Sequence, residues 1–298
     1  MKPFALFLSI LIAAVALGVG KWVSLRHATT EKVLWKGGPH SAAGAVSAES
    51  VVNFPEDRSF LPESWTEDPI NGSIKPLEPK LRLAVLSILE AALAKYPENV
   101  RQQFLGRVSV VGSLRFYEVS YGGTYMSNGR RIVLVYRENF DSRGFEQRLH
   151  HEFSSLLLKK NQDLFDATRW SEANDPSFRY RAPGIVEEYE GDRSEATRVL
   201  AAEQEKTGGS GSSLLEVDLA LMESGFLTPY NQVSIEQDLN ETTAHLFTNP
   251  EIWEYCRQFP RIDQKIDVLI DFFRRLDPKM DRLYFRHLTL GPNSTLEP

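Results

Sequence analysis

The residues best equipped for chemistry lie in Leu149-His150-His151-Glu152-Phe153-Ser154-Ser155. A histidine followed by a glutamate on a helix is the first half of the H-E-x-x-H pattern. In the whole pattern, two imidazoles one turn apart hold a zinc ion, and the glutamate takes a proton from water on that ion. The spacing works because residues i and i+4 of a helix share a face. Here the second half is changed, since Ser155 stands four residues after His151 and Ser154 four after His150. A serine hydroxyl is neutral at pH 7, shorter than an imidazole and outside the usual zinc donors. The chemistry in view is metal-assisted activation of water with one donor lacking. That donor would come from another part of the chain, from water, or not at all.

A second group lies downstream, in Glu236-Gln237-Asp238-Leu239-Asn240-Glu241-Thr242-Thr243-Ala244-His245. Glu241 and His245 share a helical face, as do Gln237 and Glu241. A carboxylate on a second helix can enter a metal shell or support the histidine that does. The plainer alternative is an i,i+4 surface pair worth a few tenths of a kcal/mol. Tyr230 follows Pro229 and either turns its phenol toward the site or closes a turn. His27, His40 and His287 lie outside either group and read as surface or packing residues.

Those groups need elements to hold them. From Pro79 the apolar residues Leu81, Val85, Ile88, Leu89, Ala92 and Leu93 recur at helical spacing and stop at Tyr96-Pro97. Arg107 to Val111 and Leu114 to Tyr121 read as strands with Gly112-Ser113 between them. Arg131 to Tyr136 reads as a further strand, and Asn128-Gly129 before it is a hairpin signal. Helical period returns over Asp141 to Lys160, with Phe145, Leu149, Phe153, Leu156 and Leu157 as the buried stripe. Residues 161 to 212 read as irregular, and a short helix is expected from about Ser213 to Glu223. Ser234 with Gln237 three residues on forms a capping box that opens a helix through Phe247. Two more helices are expected, roughly Glu251 to Gln258 and Ile262 to Leu276.

The composition bounds the function. With 34 basic and 40 acidic residues and no dense basic block, a nucleic-acid surface is not expected. Cys256 is the one cysteine, which excludes an internal disulfide and a cysteine-based zinc site, and it reads as a small buried hydrophobe. Lys2 and the apolar run from Phe4 to Val19, broken only by Ser9, read as a targeting segment. Residues 1–23 are expected to be a signal peptide or an uncleaved membrane anchor. The chain would then be exported, either periplasmic or held on the outer side of the inner membrane. Residues 24–78, punctuated by glycines and prolines, read as a low-order stalk.

Taken together, these residues resemble the glutamate-type zincins, in particular the zinc-binding metallopeptidases found as exported bacterial proteins. The matching elements are the strands with Gly122-Gly123, His-His-Glu-Phe at 150 to 153, Gly-Phe-Leu-Thr-Pro-Tyr at 225 to 230 and Asp-Leu-Asn-Glu at 238 to 241. The resemblance implies an α+β, zincin-like domain over residues 79–290. A small mixed sheet would pack on the site helix, and a mainly helical half would follow. It implies a zinc ion held by His151 and Glu241, with His245 or His150 completing the shell. Glu152 would be the general base, Tyr230 the oxyanion partner, and a peptide or protein the substrate. The family's Glu-Asp-Phe-x-Glu fits this segment in two ways. Either Gln237 takes the ligand position and Glu241 supports, or Glu241 is the ligand and His245 its partner. An inactive relative, binding peptide or protein at the cell envelope, is the alternative reading.

Overall fold

A computed structural model of the chain describes residues 48–138, 141–182, 184–186, 194–207 and 216–292. The expected targeting segment lies outside the described residues. Among the described residues, no helix is long and apolar enough to cross a membrane.

The chain opens with a helical turn, α1 (Ala48–Val51), a short strand β1 (Val52–Asn53), a second helical turn α2 (Glu63–Thr66) and strand β2 (Ser73–Pro76). Two helices follow, α3 (Arg82–Leu93) and α4 (Glu98–Phe104). Then come β3 (Arg107–Phe116), β4 (Val119–Tyr121), β5 (Gly123–Met126) and β6 (Arg131–Val135). The remainder is helical: α5 (Ser142–Lys160), α6 (Ala167–Glu172), α7 (Glu195–Thr207), α8 (Leu219–Met222), α9 (Ile235–Thr248), α10 (Ile252–Gln258), α11 (Pro260–Leu276) and α12 (Arg282–Leu290). This is the expected α+β class, a small mixed sheet with a helical C-terminal half.

The sheet runs β1-β3-β6-β5. β1 and β6 lie parallel to the first half of β3, while β2 and β4 lie antiparallel to its second half. β5 is antiparallel to β6 and forms the other end of the order. The run expected as two strands split at Gly112-Ser113 is one strand, and Gly112 sits where β2 shifts register. A Cβ at Gly112 would stand 2.7 Å from the Pro76 carbonyl, so glycine is what permits the bulge. The true break is at Tyr117 and Glu118, both at positive φ (52° and 65°), a two-residue turn built without glycine. Residues 52–76, read from the sequence as part of a stalk, contribute two strands to the sheet, and Trp65 stands edge-on to Phe116.

Alternation along β6 divides the interior. Ile132 and Leu134 face α5 in the main core, whereas Val133 and Val135 face a smaller core closed by Leu61, Ile70 and Phe116. The apolar stripe of α5 (Phe145, Leu149, Phe153, Leu156 and Leu157) is fully buried, as expected from its period. Leu239, Leu246 and Phe247 of α9 join it in one core. Both site-bearing helices are thereby fixed against the sheet, and their polar residues are left at the edge bordered by β5.

Candidate functional site

Helix α5 starts at Asp141, whose side chain accepts from the Gly144 N–H at 3.2 Å. Helix α9 starts at Ser234, whose hydroxyl accepts from the Gln237 N–H at 3.1 Å. With both starts fixed, the helices meet through a short row of polar contacts. His151 Nδ1 lies 2.9 Å from Glu241 Oε1. Ser154 donates to Asn240 Oδ1 at 2.7 Å, and Asn240 Nδ2 donates to Ser155 at 2.7 Å. The two serines that replace the expected histidines are thus engaged with one buried asparagine. These partners are paired within the protein, which removes the cost of burying them unsatisfied.

Two adjoining cavities open beside this contact. One, of about 330 Å³, is lined by His151, Glu152, Ser155, Tyr230, Glu236 and Gln237, with the whole of β5 along one side. The other, of about 440 Å³, shares His151, Glu152, Gly123 and Tyr230 and adds Arg148 and Glu241. Tyr230 sits on a 3-10 turn, Pro229–Gln232, and its ring lies 6.4 Å from that of His151 with a 28° interplanar angle. The paired glycines let α5 come this close to the strand. A Cβ on Gly122 would run into the Arg148 guanidinium, and one on Gly123 would stand 2.8 Å from the Glu152 carboxylate.

Electrostatics in the cleft are far from those in water. Burial pushes the Glu152 carboxyl up to about 7; His151 and Arg148 pull it down, whereas Glu236 and Glu241 push it further up. Burial also opposes protonation of His151, but the hydrogen bond to Glu241 and the charges of Glu241 and Glu152 outweigh it, so its pKa is raised. His245 is lowered, chiefly by burial, with Glu241 opposing.

The predicted residues divide accordingly. His151, Glu152, Tyr230 and Glu241 converge on the cleft. His245 lines neither cavity, and its Nδ1 accepts from Asn249 Nδ2 at 3.4 Å. His150 is fully buried on another face of α5, between Tyr96 (2.9 Å) and Glu146 (3.1 Å), stacked on Phe247. Gln237, left open as a ligand position, lines the smaller cavity, and Glu241 contacts the His151 ring as a support would. Sequence reasoning missed Arg148, Glu236 and Asn240. The signal for Arg148 was its place four residues before Glu152, on the same helical face.

A catalytic zinc takes about three protein donors and one open position. The positions to which the resemblance would assign zinc donors are 151, 155 and 237, and only the first carries an imidazole or carboxylate, although Glu152 and Glu236 line the same cavity. Among the described residues, no three histidine, cysteine, aspartate or glutamate side chains assemble into a group able to hold a metal ion. The set expected from the sequence, His151, Glu241 and His245, does not come together at the cleft, because His245 lines neither cavity.

No protein-family model matches the chain, and no curated protein does. Among solved structures it is similar to a "putative zinc-binding metallo-peptidase" from Bacteroides caccae, at 18% identity over 81% of this chain and 85% of that one, with a TM-score of 0.47.

Proposed function

We propose that this protein is an exported peptide- or protein-binding module, built on a peptidase-type scaffold whose cleft no longer carries a hydrolytic metal. One observation carries the reading: Ser155 and Gln237, which stand where the resemblance would place zinc donors, line the cavity, and Ser155 is committed to Asn240. β5 is the end strand of the sheet order and borders the cavity from Gly123 to Met126. An end strand beside a cleft receives an extended peptide as an added strand, with main-chain hydrogen bonds giving affinity. Trp65, Tyr121, Tyr125 and Tyr230 line the same cavity and supply apolar surface for side chains. An N-terminal segment acting as leader or anchor would place the module at the outer side of the inner membrane.

The test uses the purified full chain and a mixture of end-blocked, fluorescein-labelled random octapeptides. Fluorescence anisotropy reads binding, mass spectrometry reads cleavage, and elemental analysis reads zinc. The expected result is saturable binding, intact peptides and less than stoichiometric zinc. One zinc per chain with cleavage abolished by Glu152→Gln would instead establish a peptidase. Neither binding nor cleavage would leave an envelope structural protein.

A further inference from the structure

Helix α7 crosses the cleft from one wall to the other. On one side Ala196 packs with Tyr230 and Val233 in a small apolar cluster, with Val199 and Leu200 against it. On the other, the Thr197 hydroxyl shares a hydrogen bond with the Tyr121 hydroxyl of β4, and the Gln204 side chain meets the backbone of Ser120. Gln204 Nε2 donates to the Ser120 carbonyl at 2.7 Å, and its Oε1 accepts from the Ser120 N–H at 3.3 Å, as a neighbouring strand would. Between these footholds Ala196 lines the smaller cavity and Leu200 the larger one. The footing is light. Of the thirteen residues of α7 two are buried, against nine of nineteen in α5 and eleven of fourteen in α9. An element with so little buried surface opens before the rest of a domain does. A helix of this length is marginal in water by itself, so α7 would melt as it leaves.

We propose that α7 is a detachable cover of the cleft: it lifts from β4 and from the Tyr230 turn as a unit to admit a ligand, and docks again over it, while α5, α9 and the sheet stay folded. This goes beyond the peptide-binding reading and rests on it for the class of ligand alone. Gln204 is the latch on the β4 side and touches no ligand. Its loss favours the open state, so entry and release both become faster. A fixed wall that lost a contact would change release and leave entry as it was.

The experiment compares the full chain with Gln204→Met, which keeps length and helix propensity and removes both hydrogen bonds to Ser120. Amide hydrogen exchange, read by mass spectrometry without ligand, is followed in fragments of α7, α5 and α9. In the wild type α7 should exchange at least about a hundredfold faster than α5 and α9. The variant should speed α7 alone, by roughly tenfold for the two hydrogen bonds lost. Stopped-flow anisotropy with the labelled random octapeptides should then show association and dissociation both faster in the variant. Exchange of α7 in step with α5, or unchanged association in the variant, would overturn the proposal. The wild-type comparison of α7 with α5 decides the first point even if the variant folds poorly. Octapeptides that bind neither chain would remove the peptide-binding reading, and the cover would then stand or fall on α7 exchange alone.

Discussion

Replacing Glu152 by glutamine should make this protein more stable, and by an amount that depends on pH. The carboxyl has an ordinary value of 4.5 and is pushed to about 7 in the folded chain, with burial as the largest cause. The folded state therefore keeps a proton that the unfolded chain releases as pH rises from 4.5 to 7. Native protein binds more protons across that window, so stability falls as pH rises and levels off above about 7. At 1.36 kcal/mol per unit, the accumulated loss is roughly 3 kcal/mol. Part of the Glu152 surface opens to the cavity, so this is an upper figure. Glutamine keeps the shape and cannot ionise. The variant should match the wild type near pH 4 and exceed it by up to about 3 kcal/mol at pH 8, or roughly 6–12 °C in Tm for a domain of this size.

The assay is urea denaturation of both chains at intervals from pH 4 to 9, taking the difference at each pH so that other titrating groups cancel. A difference that does not change with pH would refute the reasoning. So would a wild type that is the more stable protein at pH 8, because an ionised Glu152 would then be well paired and not confined by burial. The sign also bears on function, since a buried acid kept at the expense of stability is what a retained site looks like.

Three further outcomes follow from the same structure. Glu241→Gln should lower the raised pKa of His151, read by NMR titration of its ring; because a raised histidine stabilises below about 6.5 and loses that effect as pH climbs through its folded value, the variant should be penalised more at pH 5.5 than at pH 9. Asp238→Asn should cost about 3–5 kcal/mol in urea denaturation, since it strands the buried Lys265 ammonium now held at 2.5 Å, while Asp238→Asn with Lys265→Met should recover most of that loss. Gly122→Ala should cost about 1–3 kcal/mol in thermal unfolding by forcing Arg148 off the strand, and Gly122→Ala with Arg148→Ala should be less damaged than the sum of its parts.

What the sequence disclosed was periodicity and caps. Ser234 announced α9 and the period over Asp141 to Lys160 announced α5, and in the structure Asp141 and Ser234 both act as side-chain caps. The buried stripe of α5 could be read residue by residue. By contrast, α6 and α7 fall within a stretch that read as irregular. α6 has only six residues, and α7 buries just Ala196 and Thr197, too little to give an apolar period. The turn at Tyr117-Glu118 was hidden because neither residue signals positive φ. In the site, the meeting of His151 with Glu241 could be anticipated from the two helices. The placement of His245 could not, because a shared helical face does not say which neighbour the face meets.

Glu152, Glu236 and Glu241 lie close enough for both of the others to raise the Glu152 pKa, so the three acids must be offset by something. A divalent ion is one solution, but among the described residues no three histidine, cysteine, aspartate or glutamate side chains group to hold one. The chain uses another. Arg148 crosses the strand at Gly122 and brings a fixed positive charge beside Glu152 and Glu241. His151 is held toward its cationic form by Glu241, and Glu152 itself tends to take up a proton. These features offset the buried acids, with Ser154, Asn240 and Ser155 closing the helix contact by neutral hydrogen bonds. A cleft balanced in this way keeps its walls and volume and, on the peptide-binding reading proposed above, remains open to an uncharged backbone beside β5.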